Sequence, residues 1–141
     1  MTPREVDARI AEALGWNIVR INPFHRGERL MIEDPDMPTR KLFDCPPYWT
    51  EPTGETMLQL IEGMAATHGP VAIPGYGDGW HLEIEYPSQL GLGPPARAKF
   101  WRYINLPNFG PVPQGVWAEG ETLPKAVAEA ARVALGIEAP E

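Results

Sequence analysis

The sequence predicts an α+β fold in which a mainly antiparallel sheet is layered between helices, an α/β/α sandwich-like arrangement. Three segments carry apolar residues at helical spacing, each with a capping residue before it and a glycine after it. Between them lie short apolar and aromatic segments separated by turns that hold most of the 17 prolines. Because these helices can bury their apolar stripes against a sheet, the order of helices and strands along the chain predicts one layered domain spanning residues 1–141.

The helices are predicted at residues 3–14, 54–68 and 123–135. The first follows a capping box formed by Thr2 and Glu5. Thr residues also stand at the expected caps of the other two helices. The middle and C-terminal helices each place a Leu, Met, Val or Ala stripe on one side, so both are expected to pack on the sheet.

The strands are predicted from alternation and from turn residues between the helices. One pair flanks the turn at Arg26 and Gly27, and another flanks PGYGDG, which ends in a favourable Asp-Gly turn pair. The predicted strands cover residues 16–21, 29–32, 71–73, 80–86, 96–104 and 115–119.

Charge and composition exclude several classes of function. A net charge of −7 disfavours binding to duplex nucleic acid, because such affinity depends on neutralising many phosphates. It does not exclude a small anionic ligand. Cys45 is the single cysteine, so no internal disulfide is expected, and neither a signal peptide nor a membrane span is legible. The sequence therefore predicts a soluble, cytoplasmic protein.

Two motifs have a structural and a chemical interpretation. Residues 75–79 (GYGDG) could cradle a phosphate, but they lead into a strand and not into a helix, which favours a hairpin turn. His81, Glu83 and Glu85 could ligate a metal, yet their spacing along a strand favours an ordinary solvated face. No nucleophile elbow, HExxH, CxxC or Walker motif is present, so we predict no catalytic residue, no metal and no cofactor.

The segment AKFWRYI (98–104) gathers cations and rings in an acidic chain. On a strand, Phe100 and Arg102 would share one face, while Arg97, Lys99, Trp101 and Tyr103 would share the other. Long cation stems could simply pack over rings on a wet sheet face. Alternatively, the rings could stack a base while the cations meet phosphates. Trp80, Trp117 and Arg132 could add further rings and charge.

The chain also resembles a family of small phage proteins, the "ABA sandwich" domain, which includes the Thoeris anti-defence proteins. The resemblance rests on the order and spacing of VDARIAEALGW, YWTEPTGETMLQLIEGM, WHLEIEY and VWAEGETLPKAVAEAARVALG, and excludes the Pro-rich stretches near 22–48 and 87–95. Members of this family are sponges: they bind a cyclic ADP-ribose-type immune signal without cleaving it, and some bind cyclic oligonucleotides. The resemblance implies stacking aromatics, phosphate-binding arginines and sites formed between subunits. The family's Arg-bearing turn matches Lys125 and Glu129 here, with Arg132 one turn later, which puts the exact ligand in doubt.

These observations together predict a non-enzymatic phage sponge for a cyclic nucleotide signal, acting as a homo-oligomer in the cytoplasm of an infected bacterium. The alternative is a phage or bacterial accessory protein that binds a protein partner through Pro- and aromatic-rich loops. A small enzyme using His81, Glu83 and Glu85 is the third and least favoured class. The predicted ligand-binding residues are Trp80, Arg97, Lys99, Phe100, Trp101, Arg102, Trp117, Lys125 and Arg132.

Overall fold

Three helices and two antiparallel sheets form the part of the chain that the structure, a computed structural model, describes. That part comprises residues 3–21, 29–33, 42–44, 49–75, 77–85 and 96–140. In chain order the elements are α1 (Pro3–Ala13), β1 (Asn17–Ile21), β2 (Arg29–Glu33), β3 (Leu42–Asp44), α2 (Gly54–Ala66), β4 (His81–Glu85), β5 (Ala96–Leu106), β6 (Gly110–Gly115), β7 (Ala118–Gly120) and α3 (Leu123–Ala134). The predicted α+β fold, with an antiparallel sheet flanked by helices, is confirmed.

The larger sheet is built around the long strand β5. One side of β5 pairs with β4, from Glu85 opposite Arg97 to His81 opposite Trp101. The other side pairs first with β7 and then, further along, with β6. The smaller sheet has the order β1-β2-β3, and its strands are also antiparallel. Strand β5 therefore runs through the centre of the four-stranded sheet and positions most of the predicted site.

Capping residues set where α2 and α3 begin. The Thr53 hydroxyl accepts a hydrogen bond from the Thr56 backbone N–H, and the Thr56 hydroxyl accepts one from the Thr53 N–H, which together form a capping box. The Thr122 hydroxyl likewise accepts from the N–H of Lys125. These bonds satisfy N–H groups that have no partner inside a helix, so both helices start at the predicted positions.

The core lies between the helices and the even-numbered face of β5. Ala96, Ala98 and Phe100 are all buried there, and small residues let α3 approach the sheet closely. Buried residues of the three helices complete this core: Val6, Ile10, Ala11, Leu60, Met64, Ala126, Val127, Ala130 and Ala131. The fully buried Trp49 joins them, and its indole N–H donates to the Thr56 carbonyl.

One ionisable side chain, Asp7, is completely buried beside this core. Its two carboxylate oxygens accept hydrogen bonds from the backbone N–H and the hydroxyl of Thr50, at 2.9 and 3.3 Å. A carboxylate can be buried at tolerable cost only when such donors replace water. Asp7 therefore ties the segment before α2 to helix α1.

Several sequence-based boundaries need correction. The strand predicted at 71–73 is reduced to one bridge between Ile73 and Gly77, and the strand predicted at 115–119 is divided between the end of β6 and β7. Strands β3 and β6 were not predicted at all. Thr2, Cys45 and the turn at Arg26 and Gly27 lie outside the described residues.

Within the described ranges, no helix combines the length and the hydropathy needed to cross a bilayer. The assignment to one domain stays a prediction.

Candidate functional site

The odd-numbered side of β5 forms a surface that we call the outer face. It comprises Arg97, Lys99, Trp101 and Tyr103 from β5, with neighbouring side chains from β4 and Trp117. The strand's alternation places these residues opposite the buried Ala98 and Phe100. Alternate residues of the AKFWRYI segment therefore lie on opposite sides of the sheet, as predicted. The Lys99 cation and the Trp101 ring lie on the same side.

A row of three rings crosses the outer face. The His81 and Trp101 rings are stacked, with centroids 4.5 Å apart and an angle of 29° between their planes. Tyr103 meets Trp101 edge to face at 5.5 Å. Both arrangements are favourable for aromatic pairs, so each ring is held in a defined orientation. The Trp101 side chain is thus fixed in place by its neighbours before any ligand arrives.

The two cations of the outer face share one ring and pair with two carboxylates. The Arg97 guanidinium and the Lys99 ammonium each lie 4.8 Å from the Trp117 ring centroid. Arg97 also forms an ion pair with Glu85 at 3.2 Å, and Lys99 with Glu83 at 3.6 Å. The carboxylate side chains are about half exposed, so these pairs are open to solvent and to competing anions.

An open pocket of about 250 Å³ is lined by the Trp101 and Tyr103 rings and by one of the two cations, Lys99. Its floor depends on Gly115, which pairs with Trp101: a Cβ there would lie 2.8 Å from the Trp101 Cβ and 2.6 Å from the Phe100 carbonyl oxygen. A Cβ at this position would collide with these atoms, so the close approach of β6 to β5 requires glycine here. The pocket is lined by Glu83, Lys99, Trp101, Tyr103, Pro113, Gln114 and Gly115.

Two donors at the outer face have no hydrogen-bond partner in the part of the chain that the structure describes. These are the indole Nε1 of Trp101 and the Nε of Arg97, both shielded from solvent. A shielded donor without a partner is costly, and such groups in native proteins commonly mark binding sites or ordered water. The indole Nε1 of Trp80, on the other side of the sheet, is in the same situation, so these buried donors do not single out the outer face.

Phe100, one of the predicted ligand-binding residues, lies on the buried side of β5. Its side chain is 1% exposed and packs in the core, so it has no surface on which a base could stack. Arg102 lies on the same, even-numbered side of the strand, with its guanidinium 4.1 Å from the Trp80 ring centroid. Trp80 and Arg102 therefore form a separate cation–π pair, away from Trp101 and Lys99.

The two predicted cations of α3, Lys125 and Arg132, belong to another region. They line a cleft of about 420 Å³ that has Val6, Ile10 and Trp49 at its apolar base. Lys125 pairs with Glu121 at 3.4 Å. The structure therefore does not bring Lys125 and Arg132 together with the outer face.

Arg132 is also occupied by structural contacts. Its guanidinium binds both carboxylate oxygens of Glu129, and its Nη1 donates to the Ile137 carbonyl at 2.6 Å. The hydrogen bond with Glu129 is the main reason that the pKa of Arg132 is raised above its ordinary value. This side chain holds the chain that follows α3 against the helix.

The described residues of the GYGDG segment, Gly75 and residues 77–79, belong to a tight turn that packs against α2. Ile73 and Gly77 exchange two backbone hydrogen bonds, at 3.0 and 3.1 Å. Gly79 lies so close to α2 that a Cβ would be 1.9 Å from the Ala65 carbonyl oxygen. Asp78 accepts a hydrogen bond from the His68 ring, which lowers the pKa of the Asp78 carboxyl. These contacts agree with the turn interpretation and not with a phosphate cradle.

A search of the described residues finds no group of three or more His, Cys, Asp or Glu side chains arranged to hold a metal ion. His81 stacks on Trp101, while Glu83 and Glu85 face the two cations. Glu83 and Glu85 therefore lie on a solvated face, as the structural interpretation predicts. His81 instead belongs to the row of three rings.

Sequence reasoning missed two residues of the pocket, Gln114 and Gly115, and undervalued Tyr103 and His81. Tyr103 was visible in the alternation of AKFWRYI. Gln114 and Gly115 lie on β6, whose prolines argue against a strand, and no local signal reveals that Gly115 pairs with Trp101.

No protein-family model, curated protein or solved structure matches this chain. The resemblance to the phage ABA-sandwich family therefore stays a prediction, and the function is inferred from the geometry of the outer face.

Proposed function

We propose that this protein is a phage anti-defence sponge that binds a cyclic nucleotide immune signal on its outer face and holds it without cleaving it. The observation that carries the proposal is the open pocket in which the side chains of Lys99, Trp101 and Tyr103 meet beside Gly115. It combines two rings and a cation, which are groups that recognise a base and a phosphate. The signal is a cyclic ADP-ribose isomer or a cyclic oligonucleotide, as the family resemblance implies.

The size of the pocket limits which part of the ligand it takes. Pockets for complete drug-sized ligands measure about 300–1,000 Å³. A volume of about 250 Å³ falls below that range and suits a single ring system. One base therefore enters beside Trp101 and Tyr103, while the ribose and phosphate groups extend across the surface toward Arg97 and Lys99. The remaining ligand surface would be covered by a second subunit.

The ion pairs of the outer face set the electrostatics of binding. The glutamates occupy Arg97 and Lys99 when no ligand is present, so a phosphate competes with a carboxylate for each cation. Exposed pairs of this kind contribute about 0–1 kcal/mol, whereas charge-assisted hydrogen bonds to phosphate are stronger. Exchange of carboxylate for phosphate is therefore favourable. When no ligand is bound, the two glutamates neutralise both cations, so the outer face does not attract every anion.

Calorimetric titration of the purified protein against cyclic ADP-ribose isomers and cyclic di- and trinucleotides tests this function. We expect saturable binding of at least one of these ligands, which chromatography recovers unchanged afterwards. Absorbance near 260 nm in the supernatant of denatured protein would reveal a ligand that co-purifies. Absence of binding across the whole panel, with no nucleotide released on denaturation, would reject the proposal. Conversion of the ligand to a new product would reassign the protein to an enzyme class.

A further inference from the structure

The strands β5 and β6 extend beyond the rest of their sheet as a two-stranded hairpin, residues 102–114, which we call the arm. Pairing with β4 ends at Trp101, whereas pairing with β6 continues from Trp101 to Leu106. The tip has Asn108 at φ 72° after Pro107, and the Phe109 N–H donates to the Leu106 carbonyl, which is the pattern of a type II turn. Two-stranded hairpins are only marginally stable in water, so a projecting arm is unusual without a partner.

The arm beyond Arg102 also carries no charged side chain. No Asp, Glu, Lys or Arg occurs between Tyr103 and Ala118, although the protein carries a net charge of −7. Phe109 is 80% exposed, and Leu106 and Val116 are exposed as well. Two copies of an acidic protein repel one another over most of their surface. The uncharged arm adds little to that repulsion, and its exposed apolar side chains leave area to be buried.

The prolines of β6 reveal which backbone groups of the arm point outward. Pro111 lies opposite Asn105, and Pro113 lies opposite Tyr103. Since proline has no N–H, these two pairs must be the non-hydrogen-bonded pairs of the antiparallel ladder. The N–H and C=O groups of Tyr103 and Asn105 therefore point away from β6, toward the side where β4 has already ended. In the described part of the chain no strand or loop hydrogen bond reaches them.

We propose that this open edge pairs with the same edge of a second copy of the chain, which makes a dimer. A twofold axis through Ile104 places Tyr103 of one copy opposite Asn105 of the other. In that register both outward-pointing residues of each copy exchange backbone hydrogen bonds. A twofold interface is self-complementary, and the spacing of Tyr103 and Asn105 meets that condition. The product is a four-stranded ribbon made of two arms.

The pairing has a consequence for the pocket, although it does not depend on what the pocket binds. Residues directly opposite one another on paired strands project to the same face of a sheet. Asn105 of the second copy therefore lies beside Tyr103 on the outer face. The two outer faces become one continuous surface, and each copy supplies an amide next to the other copy's pocket.

Backbone substitution tests the proposal directly. Asn105→Pro removes an N–H that β6 does not use, just as Pro111 does on the facing strand, so the hairpin itself should survive. Asn105→Ala is the matched control, because it removes the side chain and keeps the N–H. By sedimentation velocity we expect the wild type and Asn105→Ala to have twice the 15.6 kDa chain mass. Asn105→Pro should weaken the dimer about tenfold or more, with unchanged circular dichroism.

Cysteine cross-linking tests the register. In the proposed pairing Ile104 faces Ile104 of the second copy in a non-hydrogen-bonded pair, with Cα atoms about 4.5 Å apart. Ile104→Cys in a Cys45→Ser background should therefore form an intermolecular disulfide on mild oxidation. Leu106→Cys should not, because its two Cα atoms would be separated by about 13 Å.

A monomer at every concentration would overturn the proposal and leave the arm's edge to a strand of some other protein. A dimer that persists in Asn105→Pro and is not cross-linked through Ile104→Cys would also overturn it, because the interface would then lie elsewhere. If Asn105→Pro loses both the dimer and the native circular dichroism spectrum, the variant has unfolded. The cross-linking result through Ile104→Cys then decides whether the proposed interface is correct.

Discussion

The two faces of strand β5 solve different physical problems with alternating residues of one segment. On the even-numbered face, Ala98 and Phe100 are buried in the core against α3, so their sizes are constrained by close packing. On the odd-numbered face, Lys99 and Trp101 are held by an ion pair and ring contacts that remain open to solvent. The comparison shows that neighbouring aromatic residues of one strand are placed either in the core or beside exposed charges, depending on which side of the strand they occupy.

The largest expected effect is on the core side. Phe100→Ala should destabilise the fold by about 3–5 kcal/mol, because it removes a fully buried ring and leaves a cavity. Chemical denaturation monitored by circular dichroism measures this change. A loss below about 1 kcal/mol would mean that the core does not close around Phe100 as the structure indicates.

The second largest expected effect is on ligand affinity, which should depend on the outer face and not on the opposite face of β5. Trp101→Ala should weaken binding of the nucleotide found by calorimetry by about 1–3 kcal/mol, since it removes one stacking surface. Trp80→Ala is the matched control, because this tryptophan pairs with Arg102 on the opposite side. Equal affinities in wild type and both variants would show that the rings of the outer face only pack against cation stems.

A smaller effect concerns the ion pairs. Glu83→Gln should strengthen ligand binding by up to about 1 kcal/mol, because Lys99 no longer exchanges a carboxylate for a phosphate. Glu85→Gln should have less effect, since its partner Arg97 does not line the pocket. Both gains should shrink at high ionic strength. If Glu83→Gln instead lowers the affinity, the carboxylate itself contacts the ligand.

The smallest effect lies outside both faces, in the turn after α2. The hydrogen bond from His68 lowers the pKa of Asp78, so the folded state favours its carboxylate more than the unfolded state does. This contribution is present above the ordinary aspartate pKa of about 4 and is lost as pH falls through the lower folded value. Thermal melts in that range should show a smaller decline for Asp78→Asn than for wild type. An identical pH profile would show that the hydrogen bond adds nothing to stability.

The helices were predictable because the signals that define them are local. Thr53 and Thr122 cap α2 and α3, and the apolar spacing is visible within each segment. Strand β6 was not predictable in the same way, because Pro111 and Pro113 argue against a strand. They are tolerated because the register turns their missing N–H groups toward an unpaired edge.

For the site, the alternation of β5 predicted that Lys99 and Trp101 would share a face, and the structure agrees. Sequence alone did not decide which face would be buried, so Phe100 remained a candidate ligand residue. The pairing of Lys99 with Glu83 follows from the β4–β5 register, which is a long-range property. The structural contacts of Arg132 were not predictable, because its two partners, Glu129 and the Ile137 carbonyl, come together only where the chain turns after α3.

The two prolines of β6 have a further consequence, for how far assembly can proceed. An edge that lacks two successive N–H donors is a poor template for another strand. Each arm therefore has one edge that could accept a neighbour and one that would terminate growth. Pairing through such arms stops at two copies, whereas a hairpin with two open edges would continue to add chains and form fibrils. Pro111→Ala combined with Pro113→Val would restore both donors, and we would expect that protein to convert from a finite complex to a concentration-dependent polymer.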